Sequence, residues 1–404
     1  MSTDTDCPVA DIDLWSDSAL ADPYPLWAEL RALGPIVRLN PYGFYAAPRF
    51  ASSRAVLASW QDFSSASGVM LNDETNKEQA GATLHSDPPQ HTLLRKIISR
   101  PLTPSSLKAV CGTIHDEAEA LADRLVGRVR FDGVVDLARY LPMTVVSRLV
   151  GLPESGRESM LAWAAAAFDY SGPPNDRARA ALPVVREAFE YSFDPRLRER
   201  LDPDGWSAQL WRAAEAGEID DTQCHTLLLD YWGPALDTTI SAIAGAVWLF
   251  GRFPAQWRLL RDDPRLLSHA VNEVLRYESP TPYFSRVTTR DVELGDQRIP
   301  AGSRVLVMYG SANRDERKWD HPEVFDIRRN PTDHLAFGHG VHMCAGMHLG
   351  RMQLLAVLGA LLPRVERFEV HSAEVLRNNM IRQLRRLDVS AHPASGHQAQ
   401  RTST

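Results

Sequence analysis

Residues 337–346 read FGHGVHMCAG, with three glycines, two histidines and one cysteine in ten positions. Cys344 admits three chemistries. As a small buried hydrophobe, the usual fate of a cysteine, it needs no special neighbours. As a zinc ligand it would join His339, His342 and His348, but structural zinc sites use paired spacings and no second pair lies nearby. As a thiolate on haem iron it needs what this stretch offers. Gly338, Gly340 and Gly346 let the backbone approach a flat macrocycle and permit positive φ. A turn running into a helix supplies N–H donors that stabilise the charge on sulfur and lower the thiol pKa. Phe337 would shield the sulfur, and His342 would stand near the edge of the ring.

Other polar residues sit where a plain core would not put them. The stretch GPALDTT sets Asp237 and Thr238 in an otherwise apolar segment. Burying them without partners is costly. They are therefore either satisfied locally, the threonine by bonding back one turn, or functional. His91 and Arg95, in HTLLR, stand at i and i+4 and share one helix face. Arg286 lies in FSRVTT. Glu273 and Arg276, in NEVLR, stand at i and i+3, which alone reads as a weak surface ion pair.

These residues need elements to carry them. The chain has 404 residues, 44% hydrophobic and 24% charged, with a net charge of −7. That composition is globular, and its mild acidity gives no reason to expect nucleic acid as a partner. No run reads as a membrane span. The N-terminus lacks the basic start and apolar core of a signal peptide, so the expected location is cytoplasmic. Cys7, Cys111, Cys224 and Cys344 show no disulfide spacing. Residues 1–25 read as an irregular arm, 26–392 as one domain and 393–404 as a disordered tail. A hairpin turns at 40–43. Residues 64–90 form a long loop of the kind that is usually functional or disordered. From about 91 to 280 the spacing is helical, including one long, nearly all-apolar helix over 220–253. Strands follow, then the cysteine stretch, another apolar helix and closing strands. The expected class is mainly α with small β-sheets.

F-G-x-G-x-H-x-C-x-G, matched here at every fixed position, resembles the cysteine-ligand signature of the cytochromes P450. The companions occur in the order that family shows, from His91 to Gly346, and the likeness covers nearly the whole chain. It implies the single-domain P450 fold, with haem b between a long central distal helix and a C-terminal cysteine helix, and Cys344 on the iron. It assigns His91, Arg95, Arg286 and His342 to the haem propionates, with Phe337, Gly338 and Gly346 beside the cofactor. It pairs Glu273 and Arg276 with a later arginine, Arg328 or Arg329, to brace the core. It sets Asp237 and Thr238 over the iron, the alcohol at bound oxygen and the acid in proton delivery. One departure is plain. Pro234 and Ala235 stand where the family usually has small residues, and Pro234 removes an N–H and bends the helix.

The segments AAFDYSGPPND, YFSRVTTRDVELG and GSANRD resemble the bacterial P450s that oxidise small para-substituted aromatics such as 4-methoxybenzoate. The likeness implies a substrate wall of Leu84, Phe168, Gly233, Pro234, Thr281, Pro282 and Phe284. The members that bind benzoates hold the carboxylate with an arginine and serines. Here those positions are Glu78, Gly81 and Asp230, and Lys77 is the one basic residue between 64 and 84. An acidic pocket disfavours an anion. The expected substrate is a neutral methoxyphenol or alkylphenol, undergoing O-demethylation or hydroxylation with O2. Benzoate oxidation, a peroxide-driven peroxygenase and a non-catalytic haem sensor remain as rival readings. The sequence holds no flavin or iron–sulfur motif, so the likeness implies a separate ferredoxin and its reductase, with Lys96, Arg100 and Arg351 as a candidate docking patch.

Overall fold

The computed structural model describes residues 7–394. Its largest sheet joins six short strands. These are β1 (Val9–Ala10), β2 (Val37–Leu39), β3 (Phe44–Ala47), β4 (Phe63–Ser64), and two strands from the second half of the chain, Phe284–Thr288 and Arg304–Val307. Counting β5 (Phe131–Asp132) before them, those two are β6 and β9, because the two-stranded ribbon β7 (Val292–Leu294) and β8 (Gln297–Ile299) lies between. The sheet order is β1-β2-β3-β9-β6-β4. The hairpin β2–β3 pairs Leu39 with Phe44 and turns through Gly43 at φ +66°, a left-handed conformation that glycine adopts without steric cost. The closing strands β10 (Val365–Arg377) and β11 (Arg382–Pro393) are antiparallel, and β11 also pairs with β5.

The rest is helical and encloses one large hydrophobic core, to which helices Pro104–Leu125, Asp237–Arg252, Leu267–Glu278 and Met347–Leu361 all contribute. Helix Asp237–Arg252 is buried on nearly every face, as its all-round apolar sequence predicts. The segment 221–252 is apolar and long enough, by composition, to cross a membrane, but most of it is buried inside the fold.

Four expectations change. The single helix expected over 220–253 is two, Asp221–Trp232 and Asp237–Arg252. Pro234 cannot donate to the carbonyl of Asp230, and the chain restarts its helix at Asp237. The loop 64–90 contains a short helix, Asp73–Glu78, capped by the Asn72 side chain. The arm is ordered over residues 7–25. It carries β1 and helix Asp17–Ala21, and it buries Leu14 and Trp15. Strand β11 reaches Pro393, one residue into the expected tail, while residues 395–404 lie outside the described part.

Candidate active site

Helices Asp237–Arg252 and Met347–Leu361 converge on a cavity with about 1230 Å³ of free volume, mouth included. Cys344 is the one cysteine bordering it. The turn beneath is tightly determined. Gly338 and Gly340 have φ of +70° and +72°. A side chain at Gly340 would lie 2.4 Å from the carbonyl of Leu57. Gly346 differs from expectation, since its φ is −84° and needs no glycine. The Cys344 N–H donates to the Phe337 carbonyl at 2.9 Å. Helix Met347–Leu361 starts at Gly346 without a side-chain cap, so its first N–H groups stay available. Those of Gly346 and Met347 meet the Cys344 sulfur. Burial raises the thiol pKa, opposed by these donors and by Arg95. The thiol is accessible from the cavity while lying deep inside the protein.

Four basic side chains gather at one edge. His342, Arg95 and Arg286 border the cavity, and His91 packs against His342 with ring centroids 4.1 Å apart and planes tilted by 55°. Nε2 of His91 and Nε2 of His342 are both buried without partners. Burial and the neighbouring arginines hold both rings neutral. Arg95 donates to the Met343 carbonyl and Arg286 to the Ser285 carbonyl. Arg286 stands on β6 two residues from Phe284, on the same face, so both reach the cavity. Such a set suits two carboxylates beside a flat apolar group. With Cys344 below, the donors fit haem. No cluster of three or more His, Cys, Asp or Glu suited to a metal ion occurs among the described residues, so the zinc arrangement is absent.

Glu273 and Arg276 are not a surface pair. Their side chains have 0% exposure and bond at 2.7 and 2.8 Å. Arg276 also donates to the carbonyls of Asn313 and Pro322. The third partner is Arg329, whose Nε donates to Glu273 Oε1 at 3.3 Å, while Arg328 is exposed. This satisfied lattice sits under the cysteine stretch, where Asn313 Oδ1 accepts from the Leu335 N–H.

Across the cavity, the Thr238 hydroxyl borders the space and donates to the Pro234 carbonyl at 2.9 Å. Asp237 does not border it. Its side chain turns into the interior on the side of Arg139, although the neighbouring Thr238 and Thr239 both border the cavity. Asp237 is 1% exposed, and its Oδ2 has no hydrogen-bond donor. Burial pushes its pKa up to about 7, against the pull of Arg139. Arg139 Nε is itself buried and unpartnered.

Leu84, Phe168, Pro234, Thr281 and Phe284 line the cavity as expected from the sequence. Gly233 does not, having no side chain to extend from the end of its helix, and Pro282 turns into a separate crevice beside Trp27. The sequence reading missed Thr83, Thr239, Tyr309, Gly350 and Leu354 in the wall. The i, i+4 spacing of Gly350 and Leu354, counted on from Gly346, was a usable signal for those two. Nothing local marks Tyr309, which reaches Arg286 only through the fold.

The fold and this cavity define a haem-thiolate protein. A model of the cytochrome P450 family matches residues 260–394. The chain is 37% identical over 392 residues to cytochrome P450 CYP199A2 of Rhodopseudomonas palustris, covering 96% of this chain and 95% of the relative. It is 33% identical over 370 residues to cytochrome P450 130 of Mycobacterium tuberculosis, covering 88% and 91%. The structure of cytochrome P450 CYP109Q5 from Chondromyces apiculatus matches with a TM-score of 0.79 at 30% identity, covering 96% of this chain and 99% of that one. This chain therefore belongs to the cytochrome P450 family of haem monooxygenases, whose iron is held by a cysteine.

Proposed function

We propose that Cys344 is that cysteine and that the enzyme inserts one atom of O2 into a small, neutral aromatic substrate. O-demethylation of a methoxyphenol and hydroxylation of an alkylphenol are the reactions that fit. The carrying observation is the cavity wall, in which Leu84, Phe168 and Phe284 supply apolar and aromatic surface while Asp230 is its one carboxylate. One oxygen atom enters a C–H bond, and the other leaves as water with two electrons and two protons. A hydroxylated methoxy carbon then falls away as formaldehyde and leaves the phenol.

Bound haem supplies oxygen activation at its iron, with the thiolate donating electron density. The chain's own residues do the rest. His91, Arg95, Arg286 and His342 hold the propionates. Gly346 and Met347 N–H groups steady the charge on sulfur. The Thr238 hydroxyl donates its hydrogen bond to the Pro234 carbonyl, so its oxygen offers lone pairs toward the cavity. Asp237, with a pKa near neutrality, can both hold and release a proton at Oδ2, as proton delivery requires. The electrons come from a ferredoxin and its reductase in the cytoplasm. The expected docking patch is thin, because Arg100 pairs with Glu218 and Arg351 bonds Asn272, leaving Lys96 as its exposed member without such a bond.

Substrate-induced spin-shift titration of the haem-loaded protein tests this reading. Guaiacol-type phenols are expected to bind more tightly than 4-methoxybenzoate, and the reverse order would overturn it.

A further inference from the structure

Asp230 is the feature that the reaction above does not use. It borders the cavity from helix Asp221–Trp232, one turn before Pro234 and roughly two before Thr238. Its Oδ2 accepts the Thr83 N–H at 3.3 Å, and Thr83 is the one residue that donates to this carboxyl among the described residues. The Thr83 hydroxyl lies beside the same carboxyl and, with the Thr83 N–H, favours its charged form against burial. No cation is paired with it. Arg95 weakly favours its charge from a distance but donates to the Met343 carbonyl. Lys77 is exposed and bound to Glu74, and the Tyr170 hydroxyl donates to Glu78. A carboxylate that borders an apolar cavity with no paired cation and only Thr83 to donate to it is sparsely solvated, which is costly. A hydroxyl on the ligand removes that cost with a charge-assisted bond.

We propose that Asp230, with Thr83 beside it, anchors a phenolic hydroxyl and so selects aromatic rings that carry a hydrogen-bond donor. This rests on the neutral-aromatic reading above and deepens it. A benzoate would set carboxylate against carboxylate at this point. The methyl ether of the same phenol would fit the apolar wall and leave Asp230 unsatisfied.

The test uses haem-loaded protein and three probes: 4-ethylphenol, 4-ethylanisole and 4-ethylbenzoate. Spin-shift titrations are run on the wild type, Asp230→Asn and Asp230→Ser. The wild type is expected to bind the phenol about ten- to a hundred-fold more tightly than the ether. Both variants should shrink that ratio toward one and strengthen benzoate binding. Asparagine keeps an acceptor for the Thr83 N–H, so a merely structural role for Asp230 would move all three probes together. An unchanged phenol-to-ether ratio in both variants, or equal weakening of all probes, would overturn the anchor. A wild type that responds to benzoate and to neither neutral probe would instead overturn the broader reading.

Discussion

Below the cavity, Glu273 has no exposed side-chain surface and accepts hydrogen bonds from Arg276, Arg329 and the Asp326 N–H. Across the cavity, Asp237 is 1% exposed and its Oδ2 accepts none. Two carboxylates buried to the same degree thus meet opposite environments. The first is bound within a lattice of donors that holds the cysteine turn in place. The second is left close to neutrality, beside a helix break that Pro234 opens. Rigid placement of the metal ligand needs satisfied partners, whereas moving a proton needs a group that is not fully committed to either state.

Replacement of the two acids by their amides should therefore give opposite results. Glu273→Gln removes the negative partner from the buried Arg276 and should cost about 3–5 kcal/mol in urea unfolding, with lower haem content. Equal stability of that variant and the wild type would break the contrast. Asp237→Asn should fold well but turn over about a hundred-fold more slowly, in line with loss of an acid that delivers protons. The same variant sharpens the contrast through pH. Burial raises the Asp237 carboxyl from the ordinary 3.8 of the unfolded chain to about 7 in the folded protein. As pH rises from about 4 to 7, the unfolded chain releases its proton first, so the wild type loses stability over that window. Asp237→Asn should lack that loss, and Tm measured from pH 4 to 8 checks it.

The cysteine turn offers a smaller comparison within one wall. Gly340→Ala meets both a positive φ and the Leu57 carbonyl 2.4 Å away, whereas Gly338→Ala meets only the positive φ. The first should lower stability by about 2–3 kcal/mol and the second by about 1 kcal/mol in the same unfolding assay. At the bottom of the scale, Arg328→Ala should stay within about 0.5 kcal/mol of the wild type, and Arg329→Ala should cost about 1–2 kcal/mol.

The contrast also explains what could be read from the sequence. The cysteine side depends on local geometry. Its glycines, its thiol and its following helix are contiguous, so spacing alone exposes them. His91 with Arg95, and Glu273 with Arg276, were legible because one helix face holds each pair. The break at 233–236 was legible as a bend at Pro234, but the depth of the break depends on how helix Asp237–Arg252 packs. The choice between Arg328 and Arg329 was not legible, because neighbouring loop residues point apart in ways that only the fold decides. The ordering of residues 7–25 likewise follows from tertiary contacts, in which Trp15 Nε1 donates to the Asn379 carbonyl. The distal wall collects Thr83, Phe168, Asp230 and Tyr309 from separate elements, and no short sequence pattern joins them.

The most direct test of the central claim is the difference spectrum of the reduced, CO-bound protein. The account predicts a Soret maximum at the long-wavelength position of thiolate ligation in the wild type, and its loss in Cys344→Ser. A maximum at the shorter wavelength of histidine or neutral ligation in the wild type, or a thiolate band that survives in Cys344→Ser, would contradict it.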